Sequence, residues 1–218
     1  PVGAVYTTDQ TAGRGRLGRG WVDAPGKGLY YTAVIKTDLA QPSTLPLFAS
    51  LAVCDALKQR YGIDCQIKWP NDLLLNGKKI VGILCEVAPD GHSLVVGIGI
   101  NLAQPQEYFD MAGLPHGTSL LLQGVNVDLD TDPEWLAQYM TDFGFDRALY
   151  TYEEQGFAPY REQYKAQCVN LGRRVTYDGG AGIAKDIDEE GRLIVHDESG
   201  DTHVFTGEVS VHGIYGAV

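Results

Sequence analysis

Lys68-Trp-Pro-Asn-Asp72-Leu-Leu-Leu-Asn76-Gly77-Lys-Lys-Ile80-Val-Gly-Ile-Leu-Cys-Glu86-Val87 carries the clearest fold signal in the chain. Apolar runs at residues 73–75 and 80–87 flank Asn76-Gly77, a pair suited to a two-residue hairpin turn because both positions tolerate positive φ. Upstream, residues 65–69 read as a strand that Pro70 ends by removing a ladder donor. Downstream, Pro89-Asp90-Gly91 makes another turn, and residues 93–102 form a further strand. The apolar run of that last strand predicts burial on both faces. Gly97 and Gly99 within it mark places where backbone or a ligand approaches closely.

Outward from this meander, residues 4–8 and 29–37 read as two more strands. Between them, residues 9–28 carry glycine at 13, 15, 18, 20, 26 and 28, too many for a helix to survive. A loop of about 20 residues inside a compact domain is uncommon and usually functional. A helix should follow Ser43 as N-cap, with a stripe of Leu47, Leu51, Cys54, Leu57 and Tyr61 and Gly62 as its stop. Another opens at Thr131, with Asp132-Pro133 as first turn and Leu136, Tyr139, Met140 and Phe143 as core stripe. A shorter helix covers residues 157–168. Beyond Leu171, segments 174–177, 183–187, 193–197, 203–206 and 208–212 alternate in period two between glycine-rich turns, the texture of a small antiparallel β-barrel. So small a module should lean on the rest of the chain. The boundary is placed near Val169, giving residues 1–168 as a catalytic domain and 169–218 as the barrel.

Composition excludes several classes. With 44% apolar and 21% charged residues, the 218-residue chain is neither disordered nor fibrous. No apolar run approaches the length of a membrane span, and no secretory leader opens the chain, so a cytoplasmic protein is expected. Seventeen basic against 28 acidic residues, a net charge of −11, argue against a general nucleic-acid binder. Cys54, Cys65, Cys85 and Cys168 form no C-x-x-C pair and read as buried hydrophobes, and the five histidines are too scattered for a zinc site.

Three constellations carry chemistry. The loop Gln10-Thr-Ala-Gly-Arg14-Gly15-Arg16-Leu-Gly-Arg19-Gly-Trp21 formally contains G-x-G-x-x-G, but Gly20, Pro25, Gly26 and Gly28 forbid the helix a dinucleotide fingerprint requires. Its three arginines in an acidic protein suit capture of a carboxylate or phosphate, with glycine N–H groups closing on the same anion. A solvated basic loop and an Arg-Gly RNA contact are the competing readings. Lys68 projects a positive charge at a strand end, either toward a cleft or as a surface cap. Asn101 ends the apolar strand, either as a nucleobase reader or as a turn former.

Taken in order, QTAGRGRLGRGW, KWPNDLLLNGKKIVGILCE and VVGIGINL closely resemble the biotin–protein ligase family, and GEVSVHGIYG resembles that family's C-terminal barrel. The resemblance covers nearly the whole chain. It implies an α+β fold: a mixed β-sheet packed with helices, like a class II aminoacyl-tRNA synthetase core, plus an SH3-like barrel. It also implies a two-step reaction, in which biotin and ATP give biotinyl-5′-AMP and pyrophosphate and the biotinyl group then passes to a lysine of a biotin carboxyl carrier protein. Matched position by position, Gln10, Arg14, Gly15, Arg16 and Lys68 correspond to contacts of biotin and biotinyl-AMP. Gly82 and Ile83 correspond to backbone lining the biotin pocket. Arg16, Arg19, Trp21 and Asn101 fall on the nucleotide side. Lys68, Arg16 and Arg14 are the expected catalytic cations, Mg²⁺ accompanies ATP, and Asp72 is a candidate base for the acceptor lysine.

Three departures accompany the match. Family members usually carry a Ser-Thr-Asn segment before the first strand, and this chain begins at Pro1 without one, which reads as a truncated chain or a defective ligase. No helix-turn-helix precedes the core, so no DNA-binding role is expected. His212 stands where the closing motif usually has Arg. The competing functions are a lipoate–protein ligase, a non-catalytic biotin- or adenylate-binding remnant, and an RNA-binding module. Exposed sheet edges would permit a homodimer.

Overall fold

The computed structural model of the chain describes residues 3–15, 24–36 and 41–215. Asn76 (φ 51°) and Gly77 (φ 75°) both take positive φ, so the Asn-Gly pair forms the tight hairpin turn its sequence predicts. It joins β4 (Asp72–Leu75) to β5 (Lys78–Val87), and β5 pairs next with β6 (Ser93–Asn101). The turn into β6 is held by Asp90, whose carboxylate accepts from the backbone N–H groups of His92 and Ser93. With β1 (Gly3–Thr7), β2 (Gly28–Lys36) and β3 (Gln66–Lys68), the sheet runs β1-β2-β6-β5-β4-β3. Every ladder described in it is antiparallel. The parallel component of the expected mixed sheet is confined to isolated bridges, Ile67 with Cys168 and Lys79 with Gly117.

Period-two alternation gives this sheet two unlike faces. On one, Tyr31, Ile35, Val96, Ile98 and Ile100 are buried beneath α1 (Leu45–Tyr61), which lies on β4 and β5, and α3 (Asp132–Tyr139), which lies on β1 and β2. On the other, Val95, Gly97 and Gly99 are only half-buried, which corrects the expectation that β6 is covered on both sides. That open face borders a cleft rather than a second layer.

The helices obey their sequence signals with two exceptions. A short 3₁₀ turn, Pro42–Thr44, precedes α1, so the N-cap is Thr44 and not Ser43. The Thr44 hydroxyl bonds to the Gln41 carbonyl (2.9 Å) and the Tyr152 hydroxyl (2.6 Å) rather than to a helix N–H. At the other end Gly62 (φ 69°) donates its N–H to the Lys58 carbonyl, as a glycine stop should. After α3 the helix widens into a π-helical stretch, Met140–Ala148. The wider turn shifts the buried face, so Phe145 is fully buried while Phe143, expected in the core, is 40% exposed. Three further helices complete the set: α2 (Gln106–Met111) and α4 (Leu149–Gln155), neither singled out in the sequence reading, and α5 (Ala158–Gln167), which was. No helix among the described residues is long and apolar enough to cross a membrane.

The C-terminal strands β7 (Arg174–Tyr177), β8 (Gly180–Ile187), β9 (Leu193–Asp197), β10 (Gly200–Val204) and β11 (Ser210–Val211) form a second antiparallel sheet in the order β10-β9-β8-β7-β11. Its end strands do not pair with each other among the described residues, so the expected barrel is here a five-stranded sheet without a closing ladder. It leans on the larger sheet as its size demands. α5 touches both β3 and β8, and Val169 N–H donates to the Ile67 carbonyl (2.9 Å). The Trp69 N–H donates to Asn170 Oδ1 (2.8 Å) and its indole N–H to the Gly191 carbonyl (2.9 Å). One apolar core runs through both sheets, from Leu29 to Ile214.

Candidate active site

Between the open face of the first sheet and the segments around it lies a cleft of about 650 Å³. Its floor follows from strand register. Tyr30, Gly99, Gly82 and Asp72 stand in one cross-strand row, and Thr32, Gly97 and Leu84 in the next. Three glycines replace side chains there with bare backbone, so amides and carbonyls can meet a ligand directly. At Gly97 an added Cβ would meet nothing nearer than the Leu84 carbonyl oxygen at 3.7 Å. Protein packing therefore does not require glycine at that position. Gly82 and Ile83 both line the cleft as the sequence predicts.

At one end stands Lys68, the last residue of β3. The chain beyond it is fixed, because Trp69 is 1% exposed and doubly hydrogen-bonded to the C-terminal segment. Asn71 ties the same turn to β5, donating from Nδ2 to the Ile83 carbonyl (2.5 Å) and accepting the Ile83 N–H at its own carbonyl (3.1 Å). Asp72 Oδ1 pairs with Lys79 Nζ at 2.8 Å.

Tyr215 reaches this end from the C-terminal segment, a residue the sequence reading did not single out. Its ring centroid lies 5.0 Å from Lys68 Nζ, its ring stacks on His116, and its hydroxyl donates to Asp72 Oδ2 (3.4 Å). Burial, and then the Asp72 charge, push the phenol's pKa far above its ordinary value, so it stays a donor. His212, noted for its place in the closing motif, is exposed and is not among the cleft residues. Tyr215 lies within the closing GEVSVHGIYG motif, but nothing in that motif assigned it to the cleft; the chain's return to the first sheet brings it here.

The glycine-rich loop borders the cleft through Gln10, Ala12, Arg14 and Gly15. Its two roots are stapled together, since the Gly26 N–H is shared between the Thr8 carbonyl (3.0 Å) and Asp9 Oδ1 (2.8 Å). Arg14 lies at the open mouth, its side chain 76% exposed and its Nη2 3.5 Å from Glu86 Oε2 on β5. Arg16, Arg19 and Trp21 lie outside the described residues.

At the other end, Asn101 lines the cleft yet is only 6% exposed. Its Nδ2 donates to the Thr118 carbonyl (3.1 Å), and its Oδ1 accepts from Gln104 Nε2 (3.2 Å). Ser119 braces the same turn by donating to the Gln104 carbonyl (2.8 Å). These contacts show Asn101 holding a turn, with one amide hydrogen and one lone pair not used by them. No group of three or more His, Cys, Asp or Glu residues that could hold a metal ion occurs among the described residues.

A cleft bordered by Lys68 and Arg14 and floored by backbone suits condensation of two anionic substrates, and comparisons with known proteins point the same way. Residues 2–102 match the model of the biotin/lipoate A/B protein ligase family, and residues 171–212 that of the biotin protein ligase C-terminal domain. The biotin–[acetyl-CoA-carboxylase] ligase of Paracoccus denitrificans is 34% identical, over 96% of this chain and 90% of its own length. The bifunctional ligase/repressor BirA of Bacillus spizizenii is 32% identical, over 97% of this chain and 67% of its own. Among solved structures, the biotin protein ligase from Aquifex aeolicus in complex with biotin and ATP superposes with a TM-score of 0.77, at 28% identity over 96% of this chain and 88% of that one. On sequence and fold together, the chain belongs to the biotin/lipoate A/B protein ligase family, as one of its biotin–protein ligases.

Proposed function

We propose that the chain activates biotin with ATP and transfers it to one lysine of a biotin carboxyl carrier protein. The observation that carries this reading is the convergence of Lys68, Arg14, Gln10, Gly15, Gly82, Ile83 and Asn101 on a single cleft. In the first step a biotin carboxylate oxygen attacks the α-phosphorus of ATP, and the bond to the β-phosphate oxygen breaks with its electron pair leaving on pyrophosphate. Carboxylate and polyphosphate repel each other, and negative charge on the phosphoryl oxygens has to be balanced throughout the step. Fixed cations and N–H groups near those oxygens are the effective catalysts.

In this reading Lys68 bridges the carboxylate and the α-phosphate. Arg14 and Arg16 grip the same anions from the loop, with Gln10 and the Gly15 backbone beside biotin. Gly82 and Ile83 present backbone to biotin itself. Arg19 and Trp21 are assigned to nucleotide binding, and Asn101 meets the adenine. In the second step the acceptor ε-amine, having lost its proton, attacks the anhydride carbonyl, and AMP leaves with the bonding pair. Asp72, engaged by Lys79 and Tyr215, is one candidate to receive that proton. Residues 1–168 would form the catalytic part and 169–218 the C-terminal module, with the cytoplasm as the place of work. Mg²⁺ belongs to this scheme as the counter-ion of the ATP phosphates.

The test is pyrophosphate release on mixing the chain with biotin and MgATP, followed by mass measurement of a biotin carboxyl carrier domain. Biotin-dependent release and a biotin-sized mass gain are expected. Biotin binding without pyrophosphate release would identify a binding remnant, and release driven by lipoate but not biotin would identify the sister activity.

A further inference from the structure

A lysine at a strand end carries rotamer entropy that catalysis requires to be suppressed. In this cleft the brace comes from the far end of the chain. The Tyr215 ring sits 5.0 Å from Lys68 Nζ, inside the ~6 Å reach of a cation–π contact. The ring is itself held from two further sides. His116 stacks on it at 5.0 Å and 19°, and its hydroxyl donates to Asp72 (3.4 Å), a carboxylate that Lys79 also engages. The backbone of Tyr215 has φ 59°, a left-handed conformation unusual for an aromatic residue. Such strain persists where surrounding structure over-determines it, and it gathers at functional sites.

We propose that Tyr215 is a positioning residue for Lys68, so that the C-terminal segment completes the adenylation site of the first sheet. An aromatic face attracts an ammonium without neutralising it, as a carboxylate would. Asp72, the acid in this cluster, is held by Lys79 and the phenol. The proposal rests on the reading of Lys68 as the bridge between carboxylate and α-phosphate.

The experiment measures single-turnover biotinyl-AMP formation and biotin affinity for the full chain carrying Tyr215→Phe, Tyr215→Leu or Tyr215→Ala, each also combined with Lys68→Ala. The Phe variant should stay within about twofold of the parent. Leu, which keeps bulk but loses the π face, and Ala should slow adenylation about tenfold, the size of a desolvated cation–π contact, and weaken biotin binding no more than Lys68→Ala does. In the Lys68→Ala background, adding Tyr215→Leu should cost nothing more. Should Leu match Phe, or the losses multiply in the double variant, the positioning role is overturned while the Lys68 reading stands. Near-parental adenylation by Lys68→Ala alone would remove that reading and the proposal with it. If the Ala variant does not fold, the Phe and Leu comparison decides.

Discussion

At Gly97 the floor of the cleft is decided by one missing side chain. A methyl group there would meet only the Leu84 carbonyl oxygen, at an ordinary 3.7 Å. Gly97→Ala should therefore leave the melting temperature essentially unchanged while raising the KM for biotin about tenfold, because one methyl group in a fitted pocket is worth roughly 1–3 kcal/mol. Thermal melting and steady-state kinetics on the same sample separate the two effects. Gly182 provides the contrast, since a Cβ there would collide with the backbone carbonyl of His196 in the paired strand. Lys68→Ala should leave the fold intact, as its neighbours are held by Trp69 and Asn71, and should cost adenylation several kcal/mol, a loss of about a hundredfold or more. Biotin-dependent pyrophosphate release reads that loss directly.

Between elements, a few partly buried ion pairs fix the contacts. Asp132, at the start of α3, is 1% exposed and accepts from Arg60, from the Tyr61 hydroxyl (2.6 Å) and from the Asp128 N–H (2.8 Å). Asp132→Ala would remove the acceptor shared by Arg60, the Tyr61 hydroxyl and the Asp128 N–H and should cost about 1–3 kcal/mol, read from the urea midpoint. α5 meets the second sheet through Asp186, which pairs with Arg161 (2.9 Å) and Lys165 (2.8 Å). Burial pushes the Asp186 carboxyl upward, but the bonds from Lys165 and the Ile187 N–H outweigh it and hold the pKa below the usual value. Asp188 behaves alike, with His203 and Arg192 overcoming its burial. A carboxylate depressed in the folded state contributes stability that is complete above its unfolded pKa, about 3.9, and is lost as pH falls through the lower folded value. Urea midpoints should therefore drop below about pH 4, and the drop should be smaller in Asp188→Asn.

For the molecule as a whole, two sheets share one apolar core, and Trp69 is the joint. Its indole is buried, and its N–H groups end on Asn170 and Gly191. Calorimetry should show a single transition whose calorimetric and van't Hoff enthalpies agree, despite the change of texture the sequence shows near Val169. Two separate transitions would mean that the C-terminal sheet folds independently. The same joint explains why a residue near the C-terminus can brace a lysine in the first sheet.

Local patterns were legible wherever the chain's own periodicity and turn chemistry settle the conformation. Asn76-Gly77, the Gly62 stop and the short C-terminal strands lie close to where the letters put them, and the motifs that carry the family lie on the cleft where they are described. The reading failed where a neighbour outweighed a local preference. Tyr152 took the Thr44 hydroxyl, the π-helical stretch turned Phe143 outward, and the open cleft uncovered one face of β6. Sequence by itself determined the strands, the main helices and the identity of the cationic groups, because those depend on residues a few positions apart. Only the tertiary structure decided that Asn101 is locked between Thr118 and Gln104 and that Tyr215 faces Lys68. The second of those contacts joins residues far apart in the chain, and it exists because burying the shared core folds the second sheet onto the first.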